Sequence, residues 1–305
     1  MEHVDLTITV ISWNTRVLLR ECLHSIRDGA GSLRVEVHVV DNASTDGSVE
    51  MVRAEFPEAV LIVNAENIGF ARANNQSWAR AQGRYWMLLN PDAQLAADAL
   101  ETLVIFLERH PKAGLVTARL VNPDGSPQHC AQAFPGIFNV LFEASRLHKL
   151  LPARIRGELL LGPYWSYDRT IEVGWTWGTA LVARREAVEG AGPLSEEFFM
   201  YGEDLEWSLR MRRAGWQIWY CAEAQVVHLG ARSSAQRWET GERHRIIQDN
   251  IYRAIEMQNG RGYIRALKLS ALAALMVEWL AGGLRGRRLP GITEAIAYHW
   301  QELRK

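Results

Sequence analysis

Short β-branched runs and amphipathic stretches alternate through the first third of the chain. Leu6 to Ile11 is a β-branched run, and Val17, Leu18, Cys22, Leu23 and Ile26 then follow helical spacing. Val35 to Val40 reads as a second strand, followed by a short helix to Phe56 and a third strand at Val60 to Val63. A helix across Phe70 to Ala81 leads to the apolar strand Tyr85 to Leu89, and another, Ala96 to His110, stops at Pro111. This β-α-β-α-β-α-β order predicts an α/β fold with a mostly parallel central sheet and helices on both faces.

Periodicity fades between Arg119 and Thr170, where Pro and Gly are frequent and only a helix at Ile137 to Lys149 stands out. Order returns with 178-GTALVARRE-186, a strand running into a turn. The stretch 198-FFMYGEDLEWSLRMRRAGW-216 contains a helix ending at Gly215, and 217-QIWYCAEAQVVHLG-230 reads as two short strands. From about Ser233 the pattern is helical to the end, with Arg-rich punctuation at 285-RGRR-288.

In parallel sheets of this kind ligands bind outside the carboxyl ends of the strands. Here all four such ends are polar: Ser12-Trp13-Asn14, Asp41-Asn42-Ala43-Ser44, Asn64 to Gly69, and Asn90-Pro91-Asp92. One polar strand end is only a turn, whereas four on one rim describe a site. The turn after the first strand, 11-ISWNTR-16, has no glycine, and no G-x-x-x-x-G-K-[ST] loop is present, so dinucleotide and P-loop sites are excluded. A nucleotidyltransferase would want a glycine-rich basic loop at the same place and does not find one.

Composition narrows the classes further. The chain has 305 residues, 48% of them hydrophobic, enough for one large domain or two modest ones. Lys plus Arg (34) nearly cancels Asp plus Glu (35), so no global charge points to nucleic acid. Cys22, Cys130 and Cys221 are widely spaced and odd in number, which fits a reducing compartment better than a disulfide framework. The start, MEHVDLTITVIS, carries acids where a signal peptide carries positive charge.

Two acidic positions carry candidate chemistry. Asp92 lies behind a proline at a strand's carboxyl end, which suits Mg²⁺ or Mn²⁺ completed by phosphate oxygens; capping a helix starting near Leu95 is the alternative. His228 closes the run 225-QVVH-228 and could share that cation. Glu203-Asp204 follows the mostly aromatic run Phe198-Phe199-Met200-Tyr201, which can raise a carboxylate's pKa by desolvation; a plain helix terminus is the alternative. Asp41, Asn14, Asn67 and Asn74 offer donors and acceptors suited to a nucleoside, although Asn67-Ile68-Gly69 also reads as a turn and Asp46 as a helix cap.

Taken in order, ISWNT, VVDNASTDGS, NIGFARANN, LLNPD, GTALVARRE, FFMYGEDLEWSLRMRRAGW and VVHLG closely resemble the inverting family 2 glycosyltransferases of the GT-A fold. The rhamnosyltransferase-like enzymes of bacterial cell-surface polysaccharide assembly are the most alike, over about Leu6 to Ser233. The resemblance implies a GT-A nucleotide-diphospho-sugar transferase fold in which Ser12, Asn14, Asp41, Asn42, Asn67, Gly69, Asn74 and Asn90 bind the nucleotide-sugar. Asp92 would then be the ligand of a divalent cation (Mg²⁺ or Mn²⁺), in a motif whose first acid is replaced by Asn90, with His228 as a second ligand. Asp204 would be the general base, Glu203 its neighbour and alternative, and Trp175, Trp177 and Tyr201 would face the acceptor. The implied partners are a dTDP-, UDP- or GDP-linked sugar, rhamnose favoured, and a glycan or lipid-linked acceptor. A catalytically inactive scaffold of the same fold is the rival, against which the retention of both Asp92 and Asp204 speaks.

The expected organisation is a catalytic domain over 1–232, with a nucleotide half to about 118 and an acceptor half after it, and a helical extension over 233–305. Within that extension, 263-YIRALKLSALAALMVEWLAGGLRGRR-288 pairs an apolar face with basic ends, so it fits a packed or homodimeric helix or one lying on a membrane. A cytoplasmic location, with peripheral attachment to the inner membrane's cytoplasmic face, is the corresponding expectation.

Overall fold

The structure is a computed structural model that describes residues 3–230, 237–284 and 291–303, leaving undescribed the side chains of 281–284. Contacts divide the chain into two compact units, one of Met1–Gln132 with Ser166–Ile251, the other of Ala133–Trp165 with Tyr252–Lys305. The boundary expected at 232/233 and the 285-RGRR-288 stretch lie outside the described residues.

The first unit is built on nine strands in one sheet among the described residues. Strands β1 (Leu6–Ser12), β2 (Val35–Asp41), β3 (Val60–Val63) and β4 (Tyr85–Leu89) appear where hydrophobic patterning places them, paired in parallel in the order β3-β2-β1-β4. All five residues of β4 are buried, as a strand covered on both faces requires. Helices α1 (Arg16–Gly29), α2 (Ser48–Glu55) and α3 (Phe70–Trp78) form the crossovers. The buried stripe of α1 is Leu19, Cys22, Leu23 and Ile26, while Val17 is 61% exposed. The i, i+3, i+4, i+7 pattern therefore starts two positions later than the sequence alone suggests.

Beyond β4 the sheet becomes mixed. Three residues after Leu89 the chain enters β5 (Ala93–Leu95) and only later α4 (Ala99–Arg109). Asp92 is thus followed by a strand, and the alternative that it caps a helix near Leu95 is overturned. Next comes β6 (Ala113–Val121), buried along almost its whole length, to which the sequence pattern assigned no element. After the short β7 (Ala131–Gln132), β8 (Ile171–Glu172) and β9 (Trp175–Thr176), strand β10 (Ala180–Arg184) slots between β4 and β6, antiparallel to both. Strand β11 (Gln217–His228) runs parallel to β6 and antiparallel to β5 and β8. It is one strand, whose register shift between Cys221 and Gln225 accounts for the two short strands the pattern suggests.

The second unit is helical. It contains α5 (Ile137–Ala144), a 3-10 turn at Leu147–Leu150 and α6 (Ala153–Leu160). The C-terminal part of the helix Thr240–Leu284, which breaks at Gly260 (φ 82°), and the helix Ile292–Leu303 complete it. Those two helices are tied by Lys268 Nζ donating to Glu302 Oε2 (3.1 Å) and by a Tyr252–His299 hydrogen bond of 2.9 Å. No helix among the described residues is long and apolar enough to cross a membrane.

Candidate active site

Register delivers the first acidic group. Strand β5 pairs with β11 so that Ala93 lies opposite His228, and the Leu229 N–H donates to the Asp92 carbonyl at 3.0 Å. Both side chains are buried, and His228 Nε2 lies 3.4 Å from Asp92 Oδ1. Gln128 sets the imidazole's tautomer. Its Nε2 donates to the His228 carbonyl and to Asn122 Oδ1, both at 2.8 Å, so its Oε1, 2.7 Å from His228 Nδ1, must accept. Nδ1 therefore carries a proton, and Nε2, buried without a hydrogen-bond partner of its own among the described residues, faces the Asp92 carboxylate.

A carboxylate oxygen and an imidazole nitrogen held face to face in this way can share a positive charge between them. The donor set, one carboxylate oxygen and one imidazole nitrogen steadied from behind by an amide, fits a divalent cation. No group of three or more His, Cys, Asp or Glu side chains is assembled as a metal cluster among the described residues. Two protein ligands with phosphate oxygens completing the shell is a coordination this pair is suited to.

The second acidic group opens helix α7 (Glu203–Arg213). The chain reaches it through left-handed backbone at Tyr201 (φ 68°) and Gly202 (φ 89°). That turn is fastened by Asn250, whose Nδ2 donates to the carbonyls of Met200 (3.1 Å) and Tyr201 (3.0 Å). A Cβ on Gly202 would stand 2.9 Å from that of Asn250, so the fastening needs glycine. Burial, reinforced by the neighbouring Asp204 charge, pushes the Glu203 carboxyl well above the usual carboxylate range. Burial also raises Asp204, to about 6, although the backbone N–H groups of Leu205 and Gly178 pull the other way.

Both groups line one cavity of about 670 Å³ in the first unit, the size of a small-molecule site. Asn42, Asn67, Gly69 and Asn90 line it too, as do Trp175, Trp177 and Tyr201. The other rim residues shape the loops behind it. Ser12 is fully buried with its hydroxyl 3.1 Å from that of Thr15. Asn14, at φ 52°, accepts from the Thr45 N–H (2.8 Å), and Asp41 Oδ1 accepts from that of Ser44 (2.9 Å). Asp41 Oδ2 is buried without a hydrogen-bond partner among the described residues, an acceptor left for a ligand donor. Asn74 is buried within α3, where its amide donates to the Phe70 carbonyl at 2.9 Å, and it is not among the residues lining the cavity.

Gly69 is the tightest point. A Cβ there would fall 2.5 Å from the Phe199 carbonyl oxygen, which also accepts from the Phe70 N–H at 2.7 Å. Glycine at the start of α3 thus lets the rim of β3 press directly on the loop that carries Glu203 and Asp204. Gln128, Asn250, Arg243 and His244 also belong to this neighbourhood and carry no local sequence signal. Gln128 sits in the Pro- and Gly-rich middle of the chain, and Asn250 is a polar residue on a helix whose targets lie some fifty positions earlier.

A mixed sheet with acids gathered at the carboxyl ends of its parallel strands is the architecture of a GT-A glycosyltransferase. A mannosyltransferase of Pyrobaculum calidifontis, solved with GDP-Man and Mn²⁺, superposes with a TM-score of 0.60 at 20% identity, over 100% of this chain and 82% of that one. S. aureus TarS, solved with UDP-GlcNAc, superposes with a TM-score of 0.54 at 15% identity, over 90% and 73%. Residues 7–148, just under half of the chain, match the model of the family described as Glycosyl transferase family 2, which with the relative below marks the chain as a glycosyltransferase. In sequence it is 28% identical over 228 residues to the N-acetylglucosaminyl-diphospho-decaprenol L-rhamnosyltransferase of Mycobacterium tuberculosis, covering 66% of this chain and 69% of that protein.

Proposed function

We propose that this glycosyltransferase moves a sugar, rhamnose in the favoured case, from a nucleoside-diphosphate donor to a hydroxyl of a glycan or lipid-linked acceptor, with inversion. The observation that carries the reading is that a cation-ready pair, Asp92 with His228, and a proton-ready pair, Glu203 with Asp204, line the same cavity. Rhamnose and a lipid-diphosphate acceptor are favoured by the M. tuberculosis relative, whose name states both.

In this reading Asp92 and His228 hold a divalent cation, Mg²⁺ or Mn²⁺, which when bound neutralises charge on the leaving diphosphate. Asn42, Asn67, Gly69 and Asn90 contact the donor, and Ser12, Asn14, Asp41 and Asn74 fix the loops and helix from behind, with Asp41 Oδ2 free to accept from the nucleoside. Asp204 removes the proton of the acceptor hydroxyl as that oxygen attacks the anomeric carbon. The bond from that carbon to the phosphate oxygen breaks, its electron pair leaves with the nucleoside diphosphate, and the configuration inverts in one displacement. Glu203, held protonated by burial, leaves Asp204 as the group that can ionise near neutrality. Trp175, Trp177 and Tyr201 offer flat faces to the acceptor sugar. In domain terms, 1–118 serves the donor, 119–232 the acceptor, and 233–305 attaches the enzyme where a lipid-linked acceptor lies.

The test is transfer itself. The full chain is incubated with dTDP-rhamnose, UDP-GlcNAc or GDP-mannose, each with a synthetic polyprenyl-diphosphate-GlcNAc acceptor, with and without Mn²⁺. Cation-dependent formation of an inverted glycoside from dTDP-rhamnose is the expected result. Transfer from another donor alone replaces the sugar, retained configuration removes the single displacement, and transfer unaffected by chelation removes the role of Asp92 and His228.

A further inference from the structure

We propose that the unit formed by Ala133–Trp165 and Tyr252–Lys305 docks on an anionic lipid surface through α5, the Leu147–Leu150 turn and α6. Helix α5, IFNVLFEA, is almost wholly apolar yet buries none of its residues. Phe138 is 64% exposed and Leu150 80%, and Leu141, Leu147, Ile155 and Leu159 are exposed with them. Arg146 ties this segment to the helix Thr240–Leu284 by an ion pair with Glu278 (3.1 Å), beside which Val277, Trp279 and Leu280 are also exposed. Exposed apolar surface gathered in this way marks an interaction face.

Charge says what covers it. These two segments contain 13 Lys and Arg against 6 Asp and Glu, a net of +7, in a chain whose whole net charge is −1, so the remainder carries −8. The nearly neutral total conceals two strongly opposed parts. Arg146, Lys149 and Arg154 are exposed among the apolar side chains of the patch. Apolar groups that enter the acyl boundary, with cationic groups that reach the headgroups, are the two halves of interfacial binding to anionic lipid. A second copy meets the same face with the same excess of positive charge, which disfavours pairing of this surface with itself.

Vesicle flotation of the full chain tests this without reference to sugar transfer. The vesicles are phosphatidylcholine alone or phosphatidylcholine with phosphatidylglycerol. Partitioning at least about tenfold stronger onto the anionic vesicles, and weakened by salt, is expected. Phe138→Ser with Leu150→Ser, and separately Lys149→Gln with Arg154→Gln, should each lower it on the order of tenfold. Cation-dependent nucleotide binding in the first unit should not change in either variant, which shows that both remain folded. Absence of flotation, equal flotation on neutral vesicles, or flotation indifferent to both variants overturns the proposal. So does an analytical-ultracentrifugation dimer that Phe138→Ser with Leu150→Ser converts to monomer, because the occupant is then a second copy.

Discussion

Two acidic groups share one cavity in opposite electrostatic settings. Asp92 faces the His228 imidazole nitrogen at 3.4 Å, a carboxylate and a ring nitrogen that can share a cation. Glu203 and Asp204 have no cationic partner among the causes that shift them; burial drives both toward the protonated form, and the Asp204 charge adds to the effect on Glu203. On the proposed reading, one carboxylate holds a cation and the other pair takes up a proton. The lesson is that proximity to a common ligand does not give acids a common role: what surrounds each does.

The comparison breaks most visibly at the proton-accepting pair. Asp204→Asn should lower the transfer rate by about 10²–10⁴-fold while cation-dependent nucleotide binding, followed by calorimetry, persists. An equal loss in binding would assign Asp204 to the donor instead. Asp92→Ala should cost on the order of 10²-fold or more in transfer, and here the cation dependence of nucleotide binding should vanish as well. Gln128→Leu leaves Asp92 and His228 in place but frees the imidazole tautomer, so cation affinity measured by titration should fall by about 10–100-fold. If it does not, the tautomer is fixed by something other than Gln128.

The smallest effects are those of pH. A general base must be ionised, so transfer should rise with pH through about 6, and this limb should disappear from the residual activity of Asp204→Asn. Stability runs the other way. The folded state holds the Asp204 proton more tightly than the unfolded chain, whose carboxyl titrates near 3.8. Its contribution is therefore full below that value and lost as pH rises through about 6. Asp204→Asn should consequently be more stable than the parent at pH 8, by roughly 1–3 kcal/mol, and no more stable at pH 4, as thermal melts at the two pH values would show.

Much of the sheet from β1 to β4 was legible in the sequence because it is repetitive in a simple way. Strands β1 to β4 each end in polar residues on one rim, and a parallel sheet turns that local pattern into a shared site. The second half hides its strands. β6 follows a helix after only a few residues and precedes a Pro- and Gly-rich stretch, so no alternation announces it. β11 is interrupted by a register shift that local reading takes for a break. Asp92 and His228 could be singled out as residue types, but their meeting depends on β5, a three-residue strand that no propensity argument finds. Gln128 and Asn250 act only through partners distant in the chain, which is why neither stood out.

The place of β10 bears on how the enzyme is made. Because it lies between β4 and β6, the strands encoded by the matched segment 7–148 do not form a continuous sheet by themselves. During synthesis β6 must wait until Ala180–Arg184 has emerged, and the Asp92–His228 pair waits longer, for the last strand. Such late, non-local closure slows folding and leaves two sheet edges exposed on the nascent chain. A truncated chain ending near 148 should be expressed as an aggregation-prone fragment, and cation binding should report that the last strand has found its place.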